Sequence, residues 1–165
     1  AMANGATIGA FGGRRDIMAL LGDMTVRHAG TYNAAMVPLA AARTTLARLT
    51  ANDNEAYRLL AARGQRLIDG LRQAIAATGE QAIVQGMGSM LQLYFTPAER
   101  IRNYRETAGM DHDRFMAFAH EMIARGVMVH PDPFEHWFLS TAHTDADIDH
   151  IVAAAEDSMR ALPAR

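Results

Sequence analysis

Apolar residues recur along this chain in two rhythms, and each rhythm predicts an element. The helical one, with returns every three to four residues, is plainest near the end. Ile148, Ile151, Val152, Ala155, Met159 and Leu162 follow Thr144-Asp145-Ala146-Asp147, which reads as a capping box with Asp in place of the usual Glu. Residues 111–125 repeat the pattern with Phe115, Phe118, Ala119 and Met122, and Gly126 ends it. A longer helix is expected from a cap at Asn52 or Asp53 to about Thr78. Its apolar face is Leu60, Leu67, Ile68, Leu71 and Ile75, with Gly79 as the stop residue. Before it, Leu39, Ala42, Leu46 and Leu49 mark a helix entered through Pro38, whose missing N–H costs little in a first turn. A short helix over residues 14–21 puts Ile17, Met18 and Leu21 on one side.

The second rhythm is the alternation of strands. Leu91, Leu93 and Phe95 alternate with Gln92 and Tyr94, and residues 82–85 supply a partner strand across the bend Gly86-Met87-Gly88. Further short strands are expected at residues 127–129 and 137–139, separated by the Pro131/Pro133 loop. Residues 6–11, small or apolar between Gly5 and Gly12-Gly13, predict a buried strand. Residues 25–35 are polar and irregular, and residues 97–109 form an Arg-rich connection; both predict loops. The pattern is α+β from Ala82 onward, joined through a long helix to a part of different character.

Composition narrows the chemistry. The 165 residues suit one domain or two pieces of something larger, and half are apolar, enough for a packed core. No apolar run is long enough to span a membrane, so no membrane partner is expected. A net charge of -2 disfavours nucleic acid, whose phosphates need a basic surface. The absence of cysteine excludes disulfides and thiolate metal sites and favours a reducing compartment, the cytoplasm. All 16 basic residues are arginine, so no lysine of this chain can form a Schiff base or act as a base.

Several candidate sites dissolve on inspection. Gly5, Gly9, Gly12 and Gly13 match neither G-x-G-x-x-G nor the P-loop, and close strand packing explains them better. His130, His136 and His143 lack metal-ligand spacing, so no metal is expected. The methionines at 87–90 and between Met110 and Met128 are expected to fill core gaps. Two stretches keep a functional reading beside the bland one. In His28-Ala29-Gly30-Thr31-Tyr32-Asn33, a backbone N–H and a hydroxyl stand before a helix and suit a phosphate oxygen, although Gly-Thr is also common turn material. In Phe134-Glu135-His136-Trp137, a carboxylate beside aromatic bulk either orients a substrate amine or is an exposed loop acid.

Taken together, these segments resemble the class III pyridoxal-phosphate-dependent aminotransferases, especially the glutamate-1-semialdehyde aminomutase branch. The resemblance spans nearly the whole chain. It rests on Gly9-Ala10-Phe11-Gly12-Gly13-Arg14-Arg15-Asp16-Ile17-Met18, on the block at residues 28–33, on Gly88-Ser89-Met90 with its strand, on residues 126–140, and on Ala142-His143-Thr144-Asp145 with Asp147-Ile148-Asp149. It implies fold type I, a large α/β domain holding the cofactor and a small C-terminal α+β domain. Residues 1–50 would end the large domain, residues 51–80 form a connecting helix, and residues 81–165 form the small domain. The implied cofactor is pyridoxal 5'-phosphate, carried on a lysine expected immediately before Ala1. By the same resemblance Gly30 and Thr31 bind the cofactor phosphate of the neighbouring subunit in a homodimer, and Glu135 lies near the substrate.

The chain also departs from the aminomutase pattern. Ala1-Met2-Ala3-Asn4-Gly5 stands where that pattern is richer in glycine, and Pro131-Asp132-Pro133 and His136-Trp137 are bulkier than expected. No arginine in residues 130–140 matches the carboxylate-binding arginine of ornithine- and GABA-type relatives. The resemblance therefore implies an aminotransferase acting between an amino acid or amine and an oxo acid. One alternative is the aminomutase reaction of tetrapyrrole synthesis, within a single substrate. A second is a non-catalytic stand-alone dimerisation module.

Overall fold

Which faces the apolar stripes find decides how each half of the chain folds. The computed structural model describes residues 2–164, and its contacts divide the chain into two units that meet in sequence between Ala56 and Tyr57.

The first unit holds α1 (Arg15–Gly22) and α2 (Met36–Leu49), joined by turns and extended chain. Both helices stand where the spacing predicts, yet α1 buries no residue and α2 buries only Ala42. Phe11, Met24, Tyr32, Met36 and Val37 are largely exposed. The predicted strand at residues 6–11 does not form, and those residues are exposed or half-exposed. A strand exists only against a partner ladder, and the first unit contains no strand among the described residues. Nor do Gly5, Gly9 and Gly12 pack closely, since a Cβ at each would meet nothing within 4 Å.

Helix α3 (Ala51–Thr78) follows α2 almost at once, but the backbone at Asn52, Asp53 and Asn54 is left-handed, with φ of 50, 55 and 60°. Asn and Asp tolerate this region better than other non-glycine residues. Beyond this break, Leu67, Ile68 and Leu71 of the expected stripe enter the core of the second unit together with Ala74, while Leu60 and Ile75 pack against it half-buried.

That core lies against one face of a three-stranded antiparallel sheet, in the order β1 (Ala82–Met87), β2 (Met90–Phe95), β3 (Trp137–Phe138). The β1–β2 hairpin closes at Met87↔Met90 through Gly88-Ser89, with Gly88 at φ +60°. Val84, Leu91, Leu93 and Phe95 face inward against Phe115, Phe118, Ala119 and Met122 of α4 (His112–Ala124) and Ile148, Ala155 and Met159 of α5 (Asp145–Ala161). Each fully buried large side chain contributes about 1.5–3 kcal/mol. The Trp137 ring lies parallel to that of Phe118, 6.4 Å between centroids.

The helices are closely fitted and capped. A Cβ on Gly64 of α3 would stand 1.6 Å from the carbonyl oxygen of Gly88, so only glycine lets the helix backbone meet the hairpin turn. Arg63 donates to Asp145 at 2.8 Å, and Arg66 grips Asp149 with three bonds of 2.6, 2.8 and 3.0 Å, joining α3 to α5. The capping box on α5 is complete: Asp147 N–H donates to the Thr144 hydroxyl at 3.2 Å, and Thr144 N–H to the Asp147 carboxylate at 2.7 Å. Arg114 donates to Glu80 from Nε at 2.7 Å and also from Nη2, and both side chains are largely buried.

Residues 127–129 correct the sequence reading in an instructive way. Val127 and Val129 are buried and Met128 is 92% exposed, so the alternation is real, but no ladder forms. Met87, Met90 and Met128 are also exceptions to the expected filling of core gaps, which Met122 and Met110 satisfy. Beyond Pro97, the connection folds into a 3-10 helix (Tyr104–Gly109) and clasps the outer face of the sheet. Ile101 N–H donates to Gln85 Oε1 at 2.6 Å, and Gln85 Nε2 donates back to the Ile101 carbonyl at 3.0 Å.

Candidate functional site

Gly30 and Thr31 lie in the first unit, on an exposed turn leading into α2. Asn33 N–H donates to the Gly30 carbonyl at 3.0 Å and Ala35 N–H to that of Tyr32 at 3.2 Å. The Asn33 amide nitrogen stands 3.2 Å from His28 Nε2, and the His28 ring meets Phe11 edge-on at 5.0 Å. The Asn33 side-chain oxygen packs over Gly30, 2.9 Å from where a Cβ would stand.

The donor set fits a phosphate group. No hydrogen bond engages the Thr31 hydroxyl among the described residues, and no side chain caps the N-terminus of α2. Hydroxyls and free helix N–H groups are what phosphate oxygens accept from. An expected ligand would be held by Thr31 and the backbone at Gly30.

Glu135 lies in the second unit, exposed, on a loop whose geometry is set by its sequence. The Asp132 carboxylate accepts from Phe134 N–H at 2.9 Å, and the Asp132 carbonyl accepts from Glu135 N–H at 3.1 Å. Such an Asx turn, between two prolines whose φ is fixed, leaves little freedom. Phe134 is braced by Tyr104 at 5.5 Å and His112 at 5.2 Å between ring centroids. A cavity of about 410 Å³ opens beside the loop, walled by Tyr94, Ile101, Tyr104, Thr107, Phe134 and His136. Burial raises the Tyr94 phenol above its ordinary value, so it stays protonated at neutral pH. The two sets of predicted residues thus belong to different units.

One residue of the loop's support escaped the sequence reading. Gln92, read there as one of the polar alternates of a strand, is 1% exposed and donates to the Pro133 carbonyl at 2.7 Å. A polar residue inside an otherwise apolar strand was the available signal. Among the described residues, no three His, Asp or Glu stand together as a metal site, and no helix is long and apolar enough to cross a membrane.

No protein-family model matches the chain. Individual proteins do. Over 159 residues it is 38% identical to the glutamate-1-semialdehyde 2,1-aminomutase of Desulfatibacillum aliphaticivorans, covering 96% of this chain and 37% of that protein. Over 155 residues it is 42% identical to the enzyme of the same name from Laribacter hongkongensis, covering 93% and 36%. Among solved structures, a β-phenylalanine aminotransferase from Variovorax paradoxus superposes with a TM-score of 0.81 at 30% identity, over 94% of this chain and 36% of that one. An omega-transaminase from Sphaerobacter thermophilus shares the fold with a TM-score of 0.73 at 21% identity, over 90% and 34%. The chain spans little more than a third of the length of these relatives. Its mixed helix and sheet are part of the fold type I architecture of pyridoxal-phosphate-dependent transaminases. The chain belongs to the class III pyridoxal-phosphate-dependent aminotransferase family, on its glutamate-1-semialdehyde aminomutase-like branch.

Proposed function

We propose that this chain serves amino transfer between an amino acid or amine and an oxo acid, as part of a pyridoxal-phosphate-dependent aminotransferase working as a cytoplasmic homodimer. The observation that carries this reading is the 0.81 superposition on an aminotransferase across 94% of the chain. Bound pyridoxal phosphate supplies an electron sink for the negative charge that develops at the amine-bearing carbon. Gly30 and Thr31 hold the cofactor phosphate through a backbone N–H and the free hydroxyl, across the dimer interface. The exposed apolar residues of the first unit support burial of that region against a neighbour. Glu135 orients the substrate amine by accepting its N–H groups. The chain has no lysine, so the lysine that carries the cofactor in this family is not among its residues.

The names of the relatives at 38 and 42% identity favour a second reading, isomerisation of glutamate-1-semialdehyde within one active site. The holoenzyme supplied with glutamate-1-semialdehyde alone separates the two. Transfer predicts no 5-aminolevulinate without an added oxo acid; its steady formation overturns transfer in favour of the aminomutase.

A further inference from the structure

Gln92 occupies the middle of β2, between Leu91 and Leu93, which face the core. Its own side chain falls on the opposite face by strand alternation, yet it is 1% exposed because the Pro131–Pro133 loop covers it. Its Nε2 donates to the Pro133 carbonyl at 2.7 Å and, more weakly, to that of Leu93 at 3.4 Å. Its Oε1 is buried and accepts no hydrogen bond among the described residues. A buried amide with an idle acceptor is costly to fold. An apolar side chain of the same size would fill the space without that cost, so the donor bond to Pro133 is what this residue adds.

The position of that bond matters. Two residues after Pro133 comes Glu135, and two residues after Glu135, Trp137 pairs with Leu91. Phe138 pairs with Met90, and Leu139 N–H donates to the Ser89 carbonyl at 2.8 Å. Consecutive residues of β2 therefore hold the chain on both sides of Glu135, Gln92 through its side chain and Leu91 through the ladder. Between these holds, the Asp132 turn leaves the Glu135 backbone one course.

We infer that Gln92 is a positioning residue for Glu135, fixing where its carboxylate meets the substrate amine. This rests on the substrate-facing reading of Glu135. A glutamate at this position would lack the donor, an asparagine would fall one methylene short, and an apolar residue would leave the buried Pro133 carbonyl without a partner.

The test uses the holoenzyme, with β-phenylalanine plus 2-oxoglutarate and glutamate-1-semialdehyde as probe substrates. Gln92→Met keeps the volume and removes the donor. It is expected to raise KM for the amine about tenfold, with kcat within about twofold, and to speed amide hydrogen exchange at residues 134–136 severalfold. Combined with Glu135→Gln, it is expected to raise KM no further than Glu135→Gln alone, because both remove one interaction. Should Gln92→Met fail to fold, Gln92→Asn carries the same measurements. Unchanged exchange, unchanged KM in the Gln92 variant, or effects that multiply in the double variant overturn the positioning role while leaving that of Glu135 standing. An unaltered KM in Glu135→Gln overturns both, and so distinguishes the two failures.

Discussion

The two units carry similar proportions of apolar residues and use them to opposite ends. In the second, the stripes of α3, α4 and α5 converge on one face of the sheet, and Leu71, Leu91, Leu93, Phe118 and Ile148 are fully enclosed. In the first, α1 is amphipathic but buries nothing, and only Ala3 and Ala42 are buried among its described apolar residues. The difference lies in the partners a segment finds, since hydrophobic content alone does not bring burial. The second unit has a sheet for its helices to cover. The first has helices with exposed stripes, and such surfaces mark contacts yet to be made.

Substitution should expose this contrast most sharply in the second unit. Phe118→Ala removes a ring packed on Phe95, Phe115 and Trp137 and is expected to cost about 3–5 kcal/mol in urea unfolding. Gly64→Ala comes next. Its new methyl must displace the Gly88 backbone, and a loss of about 1–3 kcal/mol is expected by the same measurement. Acid provides a smaller effect. The Arg63 guanidinium holds the Asp145 carboxyl below its ordinary 3.8, and the Thr144 backbone N–H does the same for Asp147. A carboxylate lowered on folding adds stability that is complete above its ordinary value and is lost as pH falls through the lowered one. Stability followed from about pH 5 to about pH 2 should therefore decline below 3.8, and less steeply in Asp145→Asn. The smallest effect belongs to the first unit, where Met36→Ser is expected to change unfolding stability by less than about 0.5 kcal/mol. A larger loss would show that Met36, 80% exposed here, is covered in solution.

The sequence foretold what depends on neighbours a few residues away. The four buried residues of α4 are the four that its spacing selects, and the α5 capping box forms with the unusual Asp147. Gly79 and Gly126 end their helices at positive φ. What it could not foretell depends on distant partners. Residues 6–11 carry a strand's composition without a ladder, and Val127 and Val129 bury themselves in extended chain outside any sheet. The bond from Gln92 to Pro133 crosses 41 positions, and no periodicity encodes it. Among the site residues, local chemistry kept a functional reading open for Gly30, Thr31 and Glu135 beside that of ordinary loop residues, and the family resemblance gave each its role.

The sheet order has a colloidal consequence. Strand β1 lies at one end of that order, so half of its main-chain groups face away from β2. Its sequence, AIVQGM, carries no charge. An apolar edge of this kind is a template on which a second molecule can add a strand, the first step of aggregation. Charged side chains stand guard there: Arg72 reaches the Val84 carbonyl at 3.5 Å, and Glu99 and Arg100 flank the same hollow. Charge placed along such an edge disfavours strand addition between molecules, an effect that shows only when many copies meet.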